Sequence, residues 1–103
     1  MRSAKVFMHG EPAGTLIEVE PRKNYRFEYA EGYQGEPISL RLPVHQSTYD
    51  FDSFPPFFDG LLPEGLMLEA LLRREKIDRH DYFSQLLAVG QDLVGAVTLK
   101  EAP

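Results

Sequence analysis

The stretch that decides the fold of this chain is Phe57-Phe58-Asp59-Gly60-Leu61-Leu62-Pro63-Glu64-Gly65. Large apolar residues are interrupted here by two glycines and a proline, so the run is too short to span a membrane and too broken to form one helix. This pattern is typical of a short helix that ends, a fixed corner, and a second helix that begins. Strand-like patterns precede the stretch and helix-like patterns follow it, so we expect it to join the two halves of the chain.

The bulk composition is that of a small folded protein. With 103 residues, of which 43% are hydrophobic, the chain can form one domain, residues 1–103, around one core. The net charge of −5 and the scattered basic residues argue against direct binding to nucleic acid, because phosphate contacts need a clustered cationic surface. The absence of cysteine excludes disulfides and cysteine-ligated zinc. The N-terminus has neither a secretory pattern nor a long apolar run, which predicts a cytoplasmic protein without a membrane partner.

Alternating apolar and polar residues predict four strands before the joint. They are Lys5–His9, Ala13–Glu20, Tyr25–Tyr29 and Ile38–Leu42. Turn residues such as glycine and proline separate the first three strands, which favours antiparallel pairing. Residues 43–53 are polar and lack periodicity, so we expect an exposed loop there.

Helical patterns begin at the joint. The predicted elements are a short helix from Pro55 or Pro56 to about Asp59, a helix from Pro63 to about Lys76, a helix opened by the capping pair Asp78 and Asp81 and ended by Gly90, and a final strand Leu93–Lys100. Asp52 or Ser53 is the predicted cap of the first helix. The fold class is therefore α+β, a small antiparallel sheet with two or three helices packed on one face.

The helix that follows the corner has one leucine outside its apolar face. Leu68, Leu71 and Leu72 share one face because they follow the i, i+3, i+4 spacing. At about 100° per residue, Leu66 falls on the opposite side, beside Ala70. We therefore expect Leu66 to lie away from the core.

Residues suited to catalysis are few, and structural uses account for them. His45, Ser47 and Asp50 are close in sequence, but no glycine elbow surrounds the serine. The segment Gly90–Gly95 has the glycine spacing of a phosphate loop, but it lacks the lysine and the hydroxyl residue that would contact phosphate and magnesium. The three histidines have no metal-ligand spacing. The sequence therefore predicts no enzymatic activity, no cofactor and no metal site.

Three blocks of sequence occur in a fixed order along the chain, namely Ile38–Pro43, Phe57–Glu64 and Tyr82–Leu99. Together with the strand hairpin before them, they resemble the N-terminal subdomain of HipA-type toxin kinases over nearly the whole chain. Arg41 departs from the family pattern, in which a small residue is common, and so does Gly65 after the acid. The resemblance implies the fold of that subdomain. The ATP-binding and catalytic residues of such kinases belong to a core that this sequence does not contain.

The resemblance implies one of two roles. In the first, the chain is free-standing and similar to the HipS component of HipB–HipS–HipT toxin–antitoxin systems. It would then be an antitoxin that inhibits a HipT-type serine/threonine kinase, with a HipB-type DNA-binding protein in a ternary complex. In the second, it is the N-terminal structural subdomain of a full-length HipA kinase and has no inhibitory function. The methionine start and the end soon after the last strand favour the first role.

The predicted kinase-binding residues lie at and after the corner. They are Pro63, Glu64, Gly65, Leu66, Met67 and Ala70. A rigid corner would hold the next side chains outward, so little conformational entropy is lost on binding. Methionine also adapts well to an irregular partner surface. We expect this segment to enter the kinase cleft, while the apolar residues before Pro63 hold the sheet and helices together.

Overall fold

The computed structural model of the protein describes residues 1–93 and 95–102. In chain order the elements are β1 (Arg2–Met8), β2 (Glu11–Glu20), β3 (Asn24–Tyr29), β4 (Thr48–Phe51), α1 (Pro56–Asp59), α2 (Gly65–Glu75), α3 (Tyr82–Val89) and β5 (Val97–Glu101). The strands form one antiparallel sheet in the order β4-β3-β2-β1-β5. The predicted α+β architecture is therefore confirmed, with three helices among the described residues.

The core lies between the inner face of the sheet and the helices. Strand pairing aligns Leu16 with Ala4 on one side and with Phe27 on the other, so these side chains share one face. Phe58 of α1 and Phe83 of α3 are fully buried against that face. The alternation that predicted the first three strands thus reflects one buried and one solvated face.

One inward-facing position of β2 carries a charge. Glu18 is only 2% exposed, and Arg2 lies opposite it on β1. Arg2 donates from Nε to Glu18 Oε1 at 2.8 Å, from Nη2 to Asp81 Oδ1 at 2.8 Å, and from Nη1 to Ser84 Oγ at 2.7 Å. Its guanidinium also lies 5.0 Å from the centroid of the Phe83 ring. A single arginine therefore connects two strands to the start of α3.

The strand predicted at Ile38–Leu42 is wrong. Leu42 N donates to Ser39 O at 3.0 Å, which closes a turn, and Ile38 N donates to the Tyr29 hydroxyl at 3.0 Å. The Tyr29 hydroxyl in turn donates to Leu42 O. This arrangement buries Ile38 and Leu42 but leaves Leu40 94% exposed. A tyrosine hydroxyl satisfies the backbone here, so strand pairing is not needed.

The sheet position beside β3 belongs to β4, which lies inside the predicted loop 43–53. Phe51 pairs with Tyr25, and Tyr49 pairs with Phe27. Both β4 aromatics are half-buried on the core side of the sheet. The loop prediction is therefore wrong for Thr48–Phe51, because aromatic packing along β3 stabilises a strand of only four residues.

Several element boundaries also differ from the prediction. β5 begins at Val97, four residues later than expected; Val94, within the predicted strand, lies outside the described residues. α1 ends at Gly60 as expected, but Pro55 precedes it and no side chain from Asp52 or Ser53 caps it. The third helix, expected to open at the pair Asp78 and Asp81, begins only after Asp81, whose carboxylate caps it by accepting from Ser84 N. Within residues 1–93 and 95–102, no helix has both the length and the apolar character needed to cross a bilayer.

Candidate partner-binding site

The corner is fixed to the core by the short helix before it. Leu61 N donates to Phe58 O at 3.0 Å, and Leu62 N donates to Asp59 O at 3.1 Å, so the chain continues to turn after α1. Phe58 is fully buried and contacts the core ring of Phe27, with 6.0 Å between the centroids. Leu61 and Leu62 are half-buried against the same core. The apolar part of the stretch is thus the predicted joint between sheet and helices.

The corner itself depends on Gly65. Glu64 is extended, with φ −129° and ψ 165°, whereas Gly65 begins α2 with a positive φ of 58°. A non-glycine residue is strained in that region. A Cβ on Gly65 would contact nothing within 4 Å, so the requirement for glycine comes from the backbone and not from packing. Pro63 and Glu64 were expected inside the first helical turn. They precede the helix instead, because the extended backbone of Glu64 and the positive φ of Gly65 are not helical.

The two side chains after the corner point into solvent. Leu66 is 88% exposed and Met67 is 74% exposed. Among the described residues, they are the only two large exposed hydrophobics that are adjacent in sequence. Ala70, one turn later, is also exposed. We call Leu66, Met67 and Ala70 the α2 ridge. The exposure of Leu66 agrees with its predicted position on the helix, while a role of the ridge in binding stays a prediction.

α2 is attached to the rest of the protein at a few points. Leu71 is its one buried residue and is only 3% exposed. Arg79 binds Glu69 with two hydrogen bonds, from Nη1 to Oε2 at 2.6 Å and from Nη2 to Oε1 at 2.7 Å. These bonds lower the pKa of Glu69 and raise the pKa of Arg79. Since the pair is exposed, it orients α2 more than it stabilises the fold.

Two surface grooves are lined in part by residues of α1. One, of about 320 Å³, adjoins the corner and is lined by residues that include Asp59, Leu62, Pro63 and Glu64. The other, of about 450 Å³, is mostly apolar, and its lining includes Leu42, Tyr49, Phe51 and Phe57. The second groove was not predicted, because it exists only where the turn at Ile38–Leu42 faces β4. The alternation Tyr49-Asp50-Phe51 was the one sequence signal that could have indicated it.

Two of the three residues considered for catalysis make hydrogen bonds within the fold. Asp50 Oδ1 accepts from Arg26 Nε at 2.7 Å across the outer face of the sheet, and Ser47 O accepts from Tyr29 N at 2.8 Å. In the glycine-rich segment, Gly90 O accepts from Leu99 N at 2.8 Å, and a Cβ on Gly90 would lie 2.7 Å from Leu99 O. Glycine is therefore needed there for close packing of α3 against β5. No three carboxylate or imidazole groups are clustered for a metal ion anywhere in residues 1–93 and 95–102.

Comparisons with known proteins agree on one family. Residues 4–100 match the family model of the HipA N-terminal domain. The structure superposes on that of the N-terminal domain of HipA toxin with a TM-score of 0.78 and 34% sequence identity, covering 100% of this chain and 94% of that one. The matching region is therefore the N-terminal domain and not a kinase catalytic domain.

Two relatives differ in length. An uncharacterized protein of Haemophilus influenzae is 39% identical over 101 residues, which is 98% of this chain and 93% of that protein. A Sinorhizobium fredii protein named "Putative kinase Y4dM" is 33% identical over 104 residues, and the match covers 91% of this chain but 25% of that protein. The chain thus matches about a quarter of the longer relative and nearly all of the shorter one. From the family match and the shared fold, the chain belongs to the HipA N-terminal domain family.

Proposed function

We propose that this protein is the antitoxin of a three-part HipB–HipS–HipT system and inhibits a HipT-type serine/threonine kinase by binding it. The observation that carries the proposal is the α2 ridge. Two adjacent large apolar side chains on a fixed corner give the folded protein itself no stability, since neither is buried. Exposed apolar residues of this kind are typical of a protein–protein contact.

The rigidity of the corner favours this segment as the inhibitory element. Phe58 fixes one side of the corner, Leu71 fixes the other, and the ridge lies between them. A ridge held in place loses little conformational entropy when a partner covers it. The segment Pro63–Met67, together with Ala70, would therefore enter the cleft of the kinase as one preformed unit.

The comparisons support a small protein that acts without a catalytic core. The Haemophilus relative shows that a protein of this family can be little longer than the matched region. In the proposed role the chain has no enzymatic activity, works in the cytoplasm, and makes no direct contact with nucleic acid. In the ternary complex of this protein, the kinase and a HipB-type protein, the HipB-type protein would make the contacts with DNA.

Replacement of Leu66 and Met67 together by aspartate tests the proposal. We expect the variant to fold, because both side chains are exposed, but to lose binding to a separately expressed HipT-type kinase. The measurements are a pull-down, a kinase assay, and growth of cells that express the kinase. Leu40→Asp is the control for one added carboxylate, since Leu40 is more exposed than either residue but lies outside α2. The proposed site would be refuted if the double variant still inhibited the kinase and rescued growth.

A second candidate function is supported by the match to the longer Sinorhizobium protein. In that role the domain would be the N-terminal part of one continuous kinase and would position the catalytic core. The reading frame of the gene distinguishes the two functions. A separate kinase frame beside this gene favours the antitoxin, and a kinase core that continues in the same frame favours the structural role.

A further inference from the structure

We infer that the partner of this protein presents an apolar pocket for Leu66 and Met67 with an acidic patch about 10 Å away, and that this patch binds Arg73 and Arg74. The inference rests on the proposed function and specifies the chemistry of the kinase surface. It comes from the order of exposed side chains along α2, where two arginines follow the apolar ridge.

The two arginines continue the ridge along the same side of α2. Arg73 follows Leu66 by seven residues, and Arg74 follows Met67 by seven residues. Seven residues are close to two full turns and advance the helix by about 10 Å. Each exposed apolar side chain therefore has an arginine two turns further along, and all four residues are exposed.

The acids of α2 neutralise these arginines only in part. Glu69 is four residues before Arg73, a spacing that favours a helical ion pair. However, both carboxylate oxygens of Glu69 are held by Arg79, at 2.6 and 2.7 Å. Within the described part of the chain, Arg73 has no carboxylate within 4 Å, and Arg74 has only the exposed Glu75 at 3.1 Å. The helix thus keeps a local positive surface in a protein whose net charge is −5.

The charge at the other end of the ridge has the opposite sign. Glu64 is exposed at the corner, directly before Gly65, so the order along the surface is acidic, apolar, basic. A complementary partner surface must run from basic or neutral through apolar to acidic. Such an order gives α2 one orientation in the cleft, because the reverse orientation would bring like charges together. Arginine is also common in the energetically dominant parts of interfaces, where it combines an apolar stem with a charged fork.

Charge reversal of both arginines tests the inference. We expect Arg73→Glu with Arg74→Glu to weaken binding to the separately expressed kinase about tenfold to a hundredfold. The matched control is Lys5→Glu with Lys100→Glu, which changes the net charge equally. These lysines are paired and exposed on the outer face of the sheet, away from the helices. Binding by the control should change less than about threefold. Circular dichroism of both variants reports whether they fold.

The salt dependence of binding gives a second measurement, first on the wild type and then on a variant without charge reversal. Between about 50 mM and about 500 mM NaCl, the wild-type affinity should fall, because counterions screen an exposed contact between arginines and acids. The Arg73→Gln, Arg74→Gln variant should lose most of this dependence. Suppose that the wild type binds, that its affinity does not depend on salt, and that charge reversal of the arginines weakens binding no more than that of the lysines. The acidic patch is then refuted while the antitoxin role stands. If the wild type does not bind the kinase, both fail together.

Discussion

The Arg2–Glu18 pair and the α2 ridge are opposite exceptions to the rule that charged residues are exposed and large apolar residues are buried. Glu18 is charged but only 2% exposed on the inner face of the sheet, whereas Leu66 is a large apolar residue that is 88% exposed on a helix. The buried charge is fully matched, since Glu18 accepts from Arg2 Nε and Nη2 and from Arg22 N. Among residues 1–93 and 95–102, nothing covers the exposed ridge in the same way. The buried pair is explained by the stability of the fold, whereas the ridge contributes nothing to the packing of the described residues, and its role in binding stays a prediction.

The largest expected effect comes from the residue that holds the ridge to the sheet. Phe58→Ala should lower the free energy of unfolding by about 3–5 kcal/mol, because it leaves a cavity beneath the joint. For a protein of this size that is a large share of the total stability. Phe57→Ala, at a half-buried neighbour, should cost clearly less. Urea unfolding of both variants checks this, and equal losses would show that α1 is not anchored through Phe58.

The buried pair itself should rank second. Arg2→Ala removes the cation and leaves the Glu18 carboxylate desolvated, which should cost about 1–3 kcal/mol after allowance for the partial exposure of Arg2. The double variant Arg2→Ala, Glu18→Gln should recover part of that loss, because no unpaired charge is then buried. Urea unfolding of the wild type, both single variants and the double variant gives the coupling energy. A coupling near zero would contradict the role assigned to the pair.

Acidification should weaken the same pair and leave the ridge unaffected. Burial alone would raise the pKa of Glu18 and of Asp81. The hydrogen bonds and charge of Arg2, together with hydrogen bonds from Arg22 N to Glu18 and from Ser84 to Asp81, outweigh it and hold both pKa values below their usual 4.5 and 3.8. A carboxyl with a lowered folded-state pKa contributes stability above its unfolded pKa. That stability is lost as the pH falls from about 4.5 through the lower folded-state values. Thermal unfolding between pH 7 and pH 3 should therefore show a smaller acid loss in Arg2→Ala than in the wild type.

The smallest effect is expected at the corner that aims the ridge. Gly65→Ala should cost about 1 kcal/mol, because alanine is strained at a φ of 58° although the space around it is open. Gly60→Ala is the control, since Gly60 already has helical dihedrals, with φ −65° and ψ −14°. We expect that control to change stability by less than about 0.5 kcal/mol. A kinase-binding loss in Gly65→Ala larger than its stability loss would show that the corner sets the direction of the ridge.

Local pattern was a good guide to the first three strands, to α1, and to the exposure of Leu66. In each case the period of the pattern is the period of the element, so the buried side can be read directly. The same reasoning failed at Ile38–Leu42, where a perfect alternation belongs to a turn. The Tyr29 hydroxyl, nine residues before Ile38, holds that turn, and no local pattern can indicate such a contact.

The proposed partner-binding residues were only partly predictable. Periodicity placed Leu66 away from the core, and the glycine and proline indicated a corner, but the positive φ of Gly65 and the isolation of α2 depend on packing. Arg79 binds the carboxylate of Glu69, which therefore does not pair with the arginines at the end of α2. Arg79 is ten residues after Glu69 in sequence. Its position follows from the path of the chain after α2.

The sequence by itself determined the class of fold, the joint at Phe57–Gly65, and the apolar residues that have no place in the core, because these depend on periodicity and on the conformational limits of glycine and proline. The tertiary structure alone decided which segment borders β3, how Glu18 can be buried, and which charges along α2 stay exposed. Those outcomes depend on side chains far apart in the chain, such as Arg2 with Asp81, whose hydrogen bonds form only after the sheet and helices have packed.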